Sequence, residues 1–109
     1  LEFCQGTVAE MAERNLMEGI RRFAGRGKIA YVHFRDVQGT GDEFAECFIG
    51  EGNVNVTRVM RVLRDTGFKG CVIDDHVPHT HQDTQWGHRG RAFANGYIQA
   101  LIEAIQKGG

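Results

Sequence analysis

Three short apolar stretches limit most tightly how this chain can fold. Each is closed by polar side chains and each is followed by a segment patterned for helix. Leu1 to Cys4 ends in Cys4, Gln5 and Gly6. Ile29 to Phe34 ends in His33, Arg35 and Asp36 and opens into a loop at Gly39. Cys71 to Ile73 ends in Asp74, Asp75 and His76. Alternation within the second stretch puts Ile29, Tyr31 and His33 on one face and Ala30, Val32 and Phe34 on the other. A polar burst at the C-terminal end of an apolar strand is where α/β proteins place their chemistry.

The segments between these stretches read as helices. From Thr7, a candidate cap with Glu10 completing a capping box, the residues Val8, Met11, Ala12, Leu16, Ile20 and Phe23 recur at helical spacing. Gly25-Arg26-Gly27 ends that helix. A second helix is expected from a cap at Asn55 to Asp65, with Val56, Val59, Met60 and Leu63 buried and Gly67 as its stop. Arg58, Arg61 and Arg64 recur every three residues there and read as its solvated face. A third helix is expected over 91–106, with Phe93, Tyr97, Ala100, Leu101, Ala104 and Ile105 apolar. Between the second strand and the second helix, 38–53 reads as a long loop carrying Asp42, Glu43, Glu46 and Glu51, of a size more typical of a site wall than of a connector. Cys47 within it reads as a small buried thiol.

Strand, helix, strand, helix, strand, helix argues for a parallel sheet with right-handed crossovers. Parallel strands need cover on both faces, and three helices on one side leave the other face bare. The expected architecture is therefore α/β, a βαβαβα portion of a TIM (β/α)8 barrel with parallel strands, incomplete as a single chain. A whole barrel needs about 250 residues; this chain has 109. The abrupt strand at Leu1, with no lead-in, carries the same expectation of a larger domain. Such a piece is expected to self-associate or to pair with the missing units.

Composition removes several function classes. A net charge of −1 with 25% charged residues offers no basis for nucleic-acid or anionic-membrane binding. No apolar run approaches the roughly 20 residues that span a bilayer. Cys4, Cys47 and Cys71 are odd in number and widely spaced, which suits free thiols or ligands in a reducing compartment, so the cytoplasm is the default location.

Cys4, His33 and Asp75 each stand at or beside the C-terminal end of a different strand, and such ends converge at one rim of a barrel. A thiolate, an imidazole and a carboxylate meeting there suit a divalent transition metal. Each also has an ordinary reading: Cys4 as a small core residue, His33 as a satisfied core histidine, Asp75 as a loop cap. The segment 74–90 is the densest in polar chemistry, with His76, His79, His81 and His88.

The blocks Leu-Glu-Phe-Cys-Gln-Gly-Thr (1–7), Val-His-Phe-Arg-Asp-Val (32–37), Phe-Ile-Gly-Glu-Gly-Asn-Val-Asn (48–55) and Asp-Asp-His-Val-Pro (74–78) resemble the C-terminal part of D-mannonate dehydratase, the metal-dependent type with a xylose-isomerase-like barrel. The resemblance covers nearly the whole chain in unbroken order. It implies a hydro-lyase that converts D-mannonate to 2-keto-3-deoxy-D-gluconate in hexuronate catabolism. It also implies Mn²⁺ or Fe²⁺ held by a cysteine, two histidines and an aspartate. Cys4, His33 and Asp75 fall on three of these, and the remaining histidine would lie upstream of Leu1. His76 falls on the catalytic histidine, as acid or as base, and Arg35 on a position suited to contact the sugar acid. Two departures stand out. Family members often carry Arg-Pro-Asp-His where this chain has Ile73-Asp74-Asp75-His76. Many also place a tyrosine in the stretch that is here Trp86-Gly87-His88-Arg89-Gly90. A sugar isomerase or epimerase of the same barrel class, and an inactive self-associating assembly module, remain the alternatives.

Overall fold

The computed structural model of the chain describes residues 2–10, 16–39 and 43–108. Among these described residues, nine elements follow in order: β1 (Glu2–Cys4), α1 (Gln5–Glu10), α2 (Leu16–Ala24), β2 (Tyr31–His33), β3 (Asp36–Gln38), β4 (Ala45–Cys47), α3 (Val56–Asp65), β5 (Cys71–Ile73) and α4 (His88–Gln106). Strands β1, β2 and β5 form one parallel sheet in that order. Its register aligns Glu2 with Tyr31 and Cys71, Phe3 with Val32 and Val72, and Cys4 with His33 and Ile73. The Phe34 amide donates to the Ile73 carbonyl at 2.8 Å and carries the ladder one step further.

Register partners in a parallel sheet share a face, so the two faces differ sharply. Phe3 and Val32 are buried, with Val72 packed against the same core, which α2, α3 and α4 complete through Leu16, Ile20, Val59, Leu63, Ala94 and Ile98. The opposite face carries Glu2, Cys4, Tyr31, His33, Cys71 and Ile73, none of them buried. The three-strand, helix-backed layer expected from the alternation is thus present, with its second face bare. The second strand is shorter than expected: Ile29 precedes it and packs into the core, and Ala30 is exposed.

Helix α3 runs over the expected residues. The Asn55 side chain accepts from the Arg58 amide at 3.0 Å, and Arg58, Arg61 and Arg64 are solvent-exposed. Helix α1 begins at Gln5, so Thr7 lies inside the helix instead of capping it. The Met11 and Ala12 part of the expected stripe, Asp42 and the Glu10 side chain lie outside the described residues. Phe23 is exposed and Ala24 takes the buried position at the end of α2. Helix α4 starts three residues earlier than expected, and its buried stripe is Ala94, Ile98 and Ile105, with Phe93 half-exposed.

The segment 38–53 is more structured than a loop. Strands β3 and β4 pair antiparallel, Asp36 opposite Cys47 and Gln38 opposite Ala45. The hub is the Asp36 carboxylate, which is wholly buried. One oxygen accepts from the amides of Val37 at 2.9 Å and Val54 at 3.0 Å. The other accepts from Gly50 at 3.1 Å and Gly52 at 2.9 Å. A Cβ at residue 52 would collide with this carboxylate and with the Val37 carbonyl, so the turn requires glycine there.

Candidate metal centre

The sheet register delivers Cys4 and His33 side by side at the C-terminal ends of β1 and β2, on the bare face. Asp75 arrives two residues after β5 ends at Ile73. One donor atom from each of Cys4, His33 and Asp75 lies within 4.8 Å of the others. At a tetrahedral centre with bonds of roughly 2.0–2.3 Å, neighbouring donors stand about 3.3–3.8 Å apart, so these side chains would close by about 1 Å to share one cation. Soft sulfur, imidazole nitrogen and carboxylate oxygen are a transition-metal donor set. His79, His81 and His88 stand outside this cluster among the described residues.

The donors are held from behind. Glu2 accepts the Tyr31 hydroxyl at 2.7 Å through one oxygen and meets His33 Nδ1 at 2.8 Å through the other. That contact orients the imidazole, as a carboxylate commonly does for a ligating histidine. The hydrogen bond from the Tyr31 hydroxyl to Glu2 is the main cause that raises the Tyr31 pKa above its ordinary value. Asp75 Oδ2 lies 3.5 Å from His33 Nδ1. Arg91 fixes the approach to Asp75, donating to the Asp74 carboxylate at 2.6 Å and to the Asp75 carbonyl at 3.0 Å.

Arg35 is 4% exposed, and its guanidinium is spread across the cluster's flank. Its Nε lies 3.4 Å from Cys4 Sγ and 3.5 Å from Asp75 Oδ2, Nη2 donates to Thr7 Oγ1 at 3.2 Å, and Nη1 reaches both Glu46 oxygens at 2.8 and 2.9 Å. A buried cation beside a thiol and a carboxylate offsets the charge that two anionic donors would bring together. His76, largely exposed at the rim, meets Glu46 Oε1 through Nδ1 at 3.0 Å and faces Asp75 Oδ1 through Nε2 at 3.8 Å.

Glu2, Thr7 and Glu46 are the side chains that sequence reasoning passed over. Glu46 stood among several loop acids, and nothing local distinguished it. Thr7 could have been found only by knowing that α1 starts early. Glu2 carried a readable signal, because it shares a strand face with Cys4, two residues away.

Two groups outside the cluster have displaced pKa values. Burial, reinforced by Asp36, Glu51 and Glu46, pushes the Cys47 thiol up to about 11. The amides of Arg89, Gly90, Thr80 and Thr84 hold the Asp83 carboxyl well below the usual carboxylate range. Through the first two of these, Asp83 caps α4, whose own N-cap residue is Gly87.

The chain is similar to known proteins along its whole length. The family model of D-mannonate dehydratase, UxuA, matches residues 1–109. Mannonate dehydratase 2 of Halalkalibacterium halodurans is 32% identical over 104 residues, covering 93% of this chain and 29% of that protein. Mannonate dehydratase of Thermotoga maritima is 31% identical over 113 residues, covering 98% of this chain and 31% of that protein. The crystal structure of mannonate dehydratase from Streptococcus suis serotype 2 superposes with a TM-score of 0.85 at 23% identity, covering 95% of this chain and 32% of that one. The chain thus spans about three-tenths of the length of these relatives.

Proposed function

Because this chain belongs to the D-mannonate dehydratase (UxuA) family, we propose that it forms about three βα units of a (β/α)8 barrel hydro-lyase. That enzyme converts D-mannonate to 2-keto-3-deoxy-D-gluconate in the cytoplasm. The observation that carries the reading is the meeting of Cys4, His33 and Asp75 donors within 4.8 Å, from the ends of three neighbouring parallel strands. The bare sheet face is the side that would line the barrel interior, which makes the piece dependent on the remaining units or on self-association, and inactive alone. Among the described residues no helix is long and apolar enough to cross a membrane.

Cys4, His33 and Asp75 would hold Mn²⁺ or Fe²⁺, with a further histidine supplied from outside this chain. When bound, the cation supplies Lewis acidity that helps spread carbanion charge into the substrate carboxylate. The chain's own residues carry the rest. Dehydration removes the proton beside the carboxylate and expels the neighbouring hydroxyl as water. His76 exchanges the proton, as base at carbon or as acid at the departing oxygen, a role imidazoles commonly take in enzymes. Arg35 adds positive charge along the cluster's flank that favours entry of an anionic sugar acid, its own nitrogens being engaged by Glu46, Thr7, Cys4 and Asp75.

The test is incubation of the intact protein with D-mannonate and assay for a 2-keto-3-deoxy acid. A product that is an epimer or a ketose, with no loss of water, refutes the hydro-lyase reading. His76→Asn is expected to abolish turnover while metal content measured by mass spectrometry stays unchanged. Chelation should silence the enzyme, and Mn²⁺ or Fe²⁺ should restore it. Cys4→Ser and Asp75→Asn should both lower the metal content.

A further inference from the structure

We infer that Glu46 is the positioning residue that fixes the ring of His76 and selects its working nitrogen. The inference rests on the reading of His76 as the proton-exchanging group. The Glu46 carboxylate stands between two partners. Arg35 Nη1 donates to both of its oxygens at 2.8 and 2.9 Å, and His76 Nδ1 lies 3.0 Å from Oε1. An exposed histidine–carboxylate pair ordinarily orders little, because both side chains move freely. Here the carboxylate is not free. The guanidinium that holds it is buried and is itself pinned by Thr7 Oγ1 and Cys4 Sγ. Pairing of β4 with β3 fixes the backbone of Glu46, with Val37 as its register partner.

A ring tied at Nδ1 to a carboxylate donates from that nitrogen and turns Nε2 away from Glu46. Nε2 is the nitrogen that faces Asp75, 3.8 Å from Oδ1, and so points toward the ligand cluster. Glu46 therefore joins the buried flank of the centre to the reactive rim. It sets the ring's direction, and so which nitrogen is presented, without touching substrate.

The test uses the intact protein as wild type, Glu46→Ala, Glu46→Gln and His76→Asn, with kcat, KM and metal content measured for each. Glu46→Ala is expected to lower kcat roughly 10- to 100-fold, the usual effect of losing an orienting partner, with KM and metal content unchanged. Glu46→Gln keeps an oxygen to accept from Nδ1–H and is expected to recover most of kcat. Wild-type kcat in Glu46→Ala, or Glu46→Gln falling as far as Glu46→Ala, overturns the inference. Should Glu46→Ala fail to fold, ¹⁵N NMR of the wild-type His76 ring decides instead: protonation at Nδ1 supports the inference and the opposite tautomer overturns it. An inactive His76→Asn beside a fully active Glu46→Ala removes Glu46 and leaves the reading of His76 standing. An active His76→Asn removes both.

Discussion

Substituting Asp36→Asn changes one oxygen to an amide nitrogen in a site that accepts four backbone hydrogen bonds. Val37 and Val54 share one carboxylate oxygen; Gly50 and Gly52 share the other. Asparagine can serve one pair whichever way its amide is turned. The other pair then faces an NH₂ group, two donors against two donors. Each buried N–H left without an acceptor costs about 1–3 kcal/mol, so the loss is about 2–6 kcal/mol. That is a large share of the roughly 5–15 kcal/mol that stabilises an ordinary domain. Urea unfolding of the intact protein is the assay. With a slope of about 2 kcal/mol per molar, the midpoint should fall by about 1–3 M. The damage should localise first to 48–54, read as early hydrogen exchange at Gly50, Gly52 and Val54. A midpoint within about 0.3 M of wild type, at unchanged slope, would refute the claim that this carboxylate holds the hairpin and turn together.

Further expectations follow from the same structure. Gly52→Ala should destabilise by about 1–3 kcal/mol, the usual cost of overpacking, because its methyl would collide with Asp36 and the Val37 carbonyl; thermal unfolding checks this. Cys47 is buried, with its thiol pushed up to about 11. Iodoacetamide at pH 8 should therefore spare Cys47, whose labelling should rise only as pH approaches that value; mass spectrometry of the adduct reads this. The folded-state pKa of Asp83 is depressed, so its capping of α4 is fully present above the unfolded carboxylate value of about 3.9 and is lost as pH falls through the folded value. Hydrogen exchange across 80–91 should accelerate in that acid range, and Asp83→Ala should show the acceleration at neutral pH.

The parallel layer and the convergence of Cys4, His33 and Asp75 on one rim were readable because each depends on local signals. A short apolar run locates a strand end, and the residue types there are chemically distinctive. Helix α3 was readable for the same reason, since Asn55 and Gly67 mark its limits directly. The β3–β4 hairpin was not. Ala45, Glu46 and Cys47 carry no strand signature, and their pairing depends on Asp36 gathering amides from 14 to 18 residues away. Arg35 shows the same limit. The resemblance suggests a contact to the sugar acid, and only the assembled structure shows that Thr7, Cys4, Glu46 and Asp75 surround it. In α4 the expected apolar residues divide: Ile105 is buried and Tyr97 and Leu101 pack against the core, while Phe93 and Ala100 are exposed and Ala94 and Ile98 are buried beside them, because the helix is apolar on more than one side.

The alignment of Cys4 with His33 ties assembly of the rim to the accuracy of threading. Were β1 to slide by one residue along β2, Phe3 would swing out to the rim and the thiol would sink among the helices. The same misstep would strip an aromatic ring from the interior and a sulfur from the donor trio. A chain that reaches its stable arrangement has therefore already aligned its cysteine and histidine, and a misthreaded chain forfeits both the core contact and the sulfur donor together.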